Sequence, residues 1–147
     1  MDEIVWAVNP RNDTLENVVN YLVHYTEEFL EHTGVDCELK VPFEIPAASV
    51  SAEVRHNLFK VMQEALNNAV KHGRPKRVRL QVAVVGSQLT LSLEDDGCGF
   101  NPAAPAVGRN GLENIRQRMK SVGGSLQVTS TPGSGTRIQF DMAIGGA

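Results

Sequence analysis

Apolar residues recur at three- and four-residue spacing in three windows of the chain, and alternate with polar residues in the windows between. Leu15, Val18, Leu22, Tyr25 and Phe29 share one helical stripe, with Asp13 and Glu16 in capping-box relation and Gly34 beyond, which predicts a helix over about residues 14 to 33. Residues 36 to 45 (DCELKVPFEI) alternate loosely and predict a strand. Ser51 stands as N-cap of a second helix, whose apolar side is Leu58, Met62, Ala65, Leu66 and Ala69 and which Gly73 and Pro75 stop after about His72. RVRLQVAVV and QLTLSLED then alternate with period two around Gly86-Ser87, the signature of a hairpin whose turn needs φ > 0 at its glycine. From Gly97 to Asn110 glycine, asparagine and proline dominate without periodicity, so this stretch reads as a loop. Leu112, Ile115, Met119 and Val122 mark a third helix closed by Gly123-Gly124, and SLQVTST and TRIQFDM flank the turn PGSG. Helix, strand, helix, hairpin, loop, helix, hairpin adds up to an α/β (α+β) two-layer sandwich: a mostly antiparallel sheet, one face covered by three helices. The other face is expected to be partly solvated, since Arg77, Arg79, Gln81, Thr90 and Ser92 fill the polar phase of the alternation.

Length and composition narrow the class. One soluble domain is expected from 147 residues with 41% hydrophobic content, 21% charged content and a net charge of −3. Cys37 and Cys98 stand far apart, which suggests neither a disulfide framework nor a metal quartet and fits a reducing compartment. No apolar run approaches the ~20 residues that span a bilayer, and the acidic opening MDEIVW lacks the basic flank of a signal peptide. Without a Lys/Arg-rich patch there is no reason to expect nucleic-acid binding. A phosphate ligand on such an acidic domain would need local donors or a metal ion.

Four motifs carry candidate chemistry. In VMQEALNNAVKHG, Glu64, Asn68 and Lys71 fall together at 100° per residue, away from the apolar side. Asparagine is a poor helix former, so two in succession are a local cost, and a carboxylate, a carboxamide and an ammonium in line suit hydrated Mg²⁺ and the phosphates it bridges. A solvated ridge is the plainer reading, and Asn67, about a quarter turn or more from Asn68, keeps it. In EDDGCGF, Asp95 ends a strand whose Leu89, Leu91 and Leu93 face the core, while Gly97 and Gly99 permit sharp turns and the approach of a flat ligand. Asp-Gly pairs also make ordinary turns. In GRNGLENIRQRM, Gly111 precedes helical N–H groups that favour an anion, although glycines often precede helices. TPGSGT, with Gly133 and Gly135, reads alone as a hairpin turn.

The order and spacing of EALNNAVKH, DDGCGF, GRNGLENIRQRM and GSGT resemble the N box and three glycine motifs of the Bergerat ATP-binding fold, shared by type II topoisomerases, heat-shock chaperones, mismatch-repair ATPases and sensor histidine kinases. LFKVMQEALNNAVKH and GLENIRQRMKSVGGSLQVTSTPGSGTRIQF are similar, more closely, to the catalytic domain of histidine kinases of the nitrate-sensor and desaturase-regulator type, over about residues 50 to 142. The resemblance implies ATP and Mg²⁺ as cofactors. It implies Asn68 as metal ligand, Glu64 as base or support of the metal's water shell, and Lys71 and His72 at the phosphates. Asp95 would accept the adenine amine, Gly97 and Gly99 would make room for the base, and Thr136 would close the adenine pocket. Phe100 to Asn110 would be the ATP lid, with Gly111 and Leu112 meeting the phosphates.

A kinase of this type carries its phosphoacceptor histidine in a setting like Arg-Glu-Leu-His-Asp, and none of His24, His32, His56 and His72 has those neighbours. Residues 1 to 13 look like the tail of a dimerisation helix and its linker, ahead of a catalytic domain over 14 to 147. The chain then reads as the catalytic portion of a longer kinase, monomeric in isolation and cytoplasmic, with a membrane anchor elsewhere in the parent left open. Its partners would be the dimerisation domain that bears the histidine and, downstream, a response regulator. An anti-sigma-factor-type serine kinase and a non-catalytic nucleotide-sensing module are the alternatives. A topoisomerase-type ATPase is disfavoured because no room is left for a transducer domain.

Overall fold

The computed structural model of the chain describes residues 14–99 and 110–144. The expected dimerisation-helix remnant, residues 1–13, and the expected lid up to residue 109 lie outside the described residues. Helix α1 (Leu15–Glu31) is followed by strand β1 (Asp36–Lys40), helix α2 (Ala52–Asn68) with a terminal π turn (Ala69–Gly73), strands β2 (Arg77–Val85) and β3 (Gln88–Asp95), helix α3 (Asn110–Ser121), and strands β4 (Ser125–Ser130) and β5 (Thr136–Ala143). The strands form one sheet in the order β1-β2-β3-β5-β4, with β1 parallel to β2 and every other pair antiparallel.

The helices begin where side-chain oxygens meet orphan backbone donors. Ser51 caps α2 by accepting from Val54 N at 3.2 Å, as its position suggested. At α1 the cap is Thr14, accepting from Asn17 N at 3.3 Å, and not the Asp13 expected from spacing. α2 leaves the α ladder after Asn68, four residues before the expected end, and its π turn gives way to Arg74 in the left-handed region (φ 46°, ψ 53°). β1 stops at Lys40, five residues short of the expected strand, because Pro42 and Pro46 have no N–H to donate to a ladder. The β2–β3 turn is the foreseen two-residue loop, Gly86 having φ 61°.

The core lies between the helical layer and one sheet face. Leu58, Met62, Ala65 and Leu66 of α2, Leu80 of β2, Leu91 of β3 and Phe140 of β5 are all at most 1% exposed. α1 docks on α2 through aromatic rings, Tyr25 meeting Phe59 edge-on at 5.0 Å and Tyr21 lying 5.7 Å from the same ring. The opposite face carries polar residues joined across and along strands. Arg79 reaches Glu38 of β1 through Nη2 at 3.3 Å, Thr90 donates to Asp141 of β5 at 2.7 Å, and within β5 Arg137 donates to Gln139 at 3.2 Å. Arg77 and Gln81 are exposed there as expected, whereas Ser92 is buried, 3.5 Å from Arg137 Nη2.

Candidate functional site

The end of β3 gathers the strand-borne candidates. Asp95 keeps the phase of Leu89, Leu91 and Leu93, so its carboxylate lies on the helix-covered face and is only 8% exposed. It pairs in register with Thr136 of β5, which pairs in turn with Ser130 of β4. Asp95 Oδ1 accepts from Gly97 N at 2.8 Å. Burial pushes this carboxyl above the ordinary aspartate range, opposed by hydrogen bonds from the Gly97 and Thr136 backbone and assisted by the charges of Asp96 and Glu94. A buried carboxylate with acceptor capacity left over is suited to a ligand donor.

Glycine closes the walls of this corner. A Cβ on Gly135 (φ 87°) would overlap the Asp95 carbonyl oxygen, and one on Gly99 (φ 63°) would overlap the Thr131 carbonyl oxygen and come within 2.8 Å of Gly135 O. Gly133 N donates to Cys98 O at 2.6 Å, which binds the 131–135 turn to the segment after β3. Asp96, in the opposite phase, has a different task. Its Oδ1 accepts from Arg77 N at 2.9 Å and Lys76 N at 2.8 Å, fastening the end of β3 to the start of β2, and those bonds hold its carboxyl below the usual range.

The helix-borne candidates divide. Glu64 is half-buried and lines a groove of about 500 Å³ with Lys60 and Gln63 of α2 and Asn114, Ile115, Gln117 and Arg118 of α3. Arg118 Nη1 donates to Asn57 Oδ1 at 3.4 Å, so α3 is tied to α2 by a polar contact as well as by packing. Asn68, one turn beyond Glu64, is half-buried and its Nδ2 is a buried donor with no partner among the described residues. Lys71 is exposed in the π turn. A π ladder winds wider than 3.6 residues per turn, so Lys71 falls away from the Glu64–Asn68 line that uniform 100° steps extend to it. Of His72, Gly111 and Leu112 the structure describes the backbone only, in the π turn and the first turn of α3. No hydrogen bond joins the α2 set to the strand-end set among the described residues. Ser130 and Asp96 were missed by sequence reasoning. Ser130 had a signal, a hydroxyl in the phase where Leu126 and Val128 are apolar.

Comparison with known proteins bears on the fold and the family. The family model described as histidine kinase-, DNA gyrase B-, and HSP90-like ATPase matches residues 53–145. The sensor histidine kinase LiaS of Bacillus subtilis is 30% identical over 123 residues, covering 84% of this chain and 33% of that protein. The sensor protein VraS of Staphylococcus aureus is 32% identical over 116 residues, covering 76% and 33% respectively. The chain thus spans about a third of the length of these curated relatives. Among solved structures, the histidine kinase domain of the Erythrobacter litoralis EL346 blue-light activated histidine kinase superposes with a TM-score of 0.71 at 23% identity, over 86% of this chain and 61% of that one. Full-length ShkA in complex with AMPPNP gives 0.72 at 19% identity, over 90% and 30%. The chain belongs to the histidine kinase-, DNA gyrase B- and HSP90-like ATPase family.

Proposed function

We propose that this domain binds Mg-ATP and transfers the γ-phosphoryl group to a histidine on a separate dimerisation domain, the first step of two-component signalling. The observation that carries the reading is Asp95: a buried carboxylate at the rim of the core, held by Gly97 N–H and beside backbone that admits no Cβ at Gly99 and Gly135, supports acceptance of the amine of adenine. The relatives named as sensor kinases support a kinase.

The residues of α2 fit a hard cation. Turning the Asn68 amide over puts Oδ1 where the unpartnered Nδ2 stands, and Glu64, one turn away, offers a carboxylate to the ion's water shell. Magnesium bound there would neutralise charge on the phosphates. Phosphoryl transfer asks the protein mainly for positioning and fixed charge, so no covalent nucleophile is needed. Lys71 and His72, with the start of α3 at Gly111 and Leu112, are assigned to the phosphates. Glu64 is assigned to the metal shell or to base chemistry. His24 pairs with Glu28 at 3.0 Å on the exposed side of α1, and His32 and His56 are exposed, none of them in the sequence setting of an acceptor histidine. The acceptor is assigned to the dimerisation domain, and a response-regulator aspartate to receive the group next, in the cytoplasm where ATP is supplied.

The test is to mix the chain with labelled Mg-ATP and a separately made dimerisation domain. Acid-labile label on that domain is expected. Label that survives acid would indicate serine phosphorylation, and ATP binding without any transfer would reduce the domain to a nucleotide sensor.

A further inference from the structure

Two stretches of chain carry the proposed nucleotide contacts, and one exposed carboxylate joins them. Asp95 ends β3, fixed on both sides by register with Val78 of β2 and Thr136 of β5. Asn68 ends α2, and between it and β2 lie the π turn, Arg74 in the left-handed region and the buried Pro75. Residues 74 to 76 belong to no helix or strand. Asp96 fastens their far end: its Oδ1 accepts from Lys76 N at 2.8 Å and Arg77 N at 2.9 Å, and its own N–H reaches Arg77 O at 3.3 Å. Asp36 N, donating to Lys76 O at 2.9 Å, holds the other side of Lys76 to β1. Upstream of this clamp the chain has little slack. The Pro75 ring fixes its own φ, and Arg74 is held at a φ of 46° that residues other than glycine seldom adopt. The point at which the π turn ends is therefore set from Asp96.

We infer that Asp96 is a positioning residue, which sets the span between the adenine acceptor Asp95 and Lys71 and His72 of the π turn, so that one nucleotide meets both ends of the site at once. The inference rests on the Mg-ATP reading above. Asp96 is exposed and in the opposite phase to Asp95, so it acts through the backbone it holds. Asp95 keeps its place without it, because two neighbouring strands pair with that residue. The π turn has no such ladder. A nucleotide anchored at its base tolerates little error at its phosphates, since a contact misplaced by about 1 Å can cost on the order of a hundredfold in rate.

The experiment measures the affinities of ATP and adenosine, both with magnesium, by displacement of a fluorescent ATP analogue, which reads weak ligands as well as strong ones. The proteins are the wild type, Asp96→Ala, Asp96→Asn, Pro75→Gly, Lys71→Ala and the double variant Lys71→Ala/Asp96→Ala, with a melting temperature taken on each. In Asp96→Ala the affinity for adenosine should hold while that for ATP falls, so that their ratio drops by about tenfold, the order of one hydrogen bond to a charged group. Asp96→Asn keeps an oxygen able to accept from both N–H groups and should restore most of the wild-type ratio. Pro75→Gly leaves the clamp in place and loosens the link beyond it; it should lower the ratio as Asp96→Ala does, and it decides the question if Asp96→Ala does not fold. With Lys71 already truncated, Asp96→Ala should move the ratio less than it does in the wild type. A purely structural Asp96 would lower the melting temperature and both affinities in equal proportion, and that result, or an unchanged ratio, overturns the inference while the Mg-ATP reading stands. A wild-type chain that fails to bind the analogue overturns that reading instead, and this inference with it.

Discussion

Replacing Asn68 with alanine should make the empty protein more stable and the nucleotide-bound protein less so. Asparagine in a helix interior is less favourable than alanine by about 0.5–0.7 kcal/mol. Its Nδ2 is buried without a partner, and such an orphan costs about 1–3 kcal/mol. Against these stands the modest packing of a half-buried side chain, so a net gain of about 1–2 kcal/mol is expected, or a rise of about 2–8 °C in Tm for a domain of this size. Mg-ATP at a hundred times its Kd should raise the wild-type stability by about 2.7 kcal/mol. In Asn68→Ala the magnesium-dependent part of that rise should vanish. Scanning calorimetry with and without ATP, in magnesium and in EDTA, measures both effects on one sample. A lower Tm for the empty variant would mean that the amide is satisfied in the folded state, and an undiminished Mg-ATP shift would remove Asn68 from the metal site.

Asp95→Asn should weaken ATP binding by about 1–3 kcal/mol, because an N–H then faces the adenine amine, while stability of the empty domain at neutral pH is held or improved by removal of a buried charge; calorimetry and a urea melt separate the two. The raised carboxyl of Asp95 gives opposite pH trends. The folded chain keeps this proton longer than the unfolded chain, so its contribution to stability is present in acid and is lost as pH rises from the ordinary aspartate range through the raised value, while ATP affinity, which needs the ionised acceptor, climbs over the same window. Asp95→Asn should flatten both curves, and curves left unaltered would refute the assignment. Gly135→Ala should cost more than about 3 kcal/mol, combining the left-handed penalty with overlap on Asp95 O, whereas Gly133→Ala, with open space around its Cβ, should cost only about 1–2 kcal/mol; equal urea midpoints would refute the contrast. Arg74→Gly should stabilise by about 0.5 kcal/mol, the relief at φ 46° outweighing the added freedom of the unfolded chain, seen as a higher urea midpoint at unchanged slope.

What periodicity encodes was legible in the sequence: the three helical stripes, the β2–β3 hairpin with its positive-φ Gly86, and the core-facing phase that carries Asp95. What depends on distant pairing was not. Nothing local in TRIQFDM says that β5 lies between β3 and β4, or that β1 is a parallel edge, because strand partners are chosen by packing across the whole sheet. The π turn escaped for a related reason: constant 100° steps placed Lys71 on the Glu64–Asn68 line, and the wider ladder after Asn68 moves it off. Asp96 adjoins Asp95 in sequence, yet the alternation that carries one to the helix-covered face carries the other to the backbone at the start of β2.

The place of β5 governs the order in which the domain becomes functional during synthesis. The strand that emerges last of the five is interior to the sheet, so until residues 136–143 leave the ribosome β4 has no neighbour and the far edge of β3 lies open. Asp95 meanwhile lacks Thr136, its partner in the strand register. A nascent or prematurely terminated chain can thus own the complete α2 helix, with Glu64 and Asn68 in place, and still lack the strand that completes the corner around Asp95. An assembled Asp95 corner is thus a certificate that translation has run through the last of the five strands.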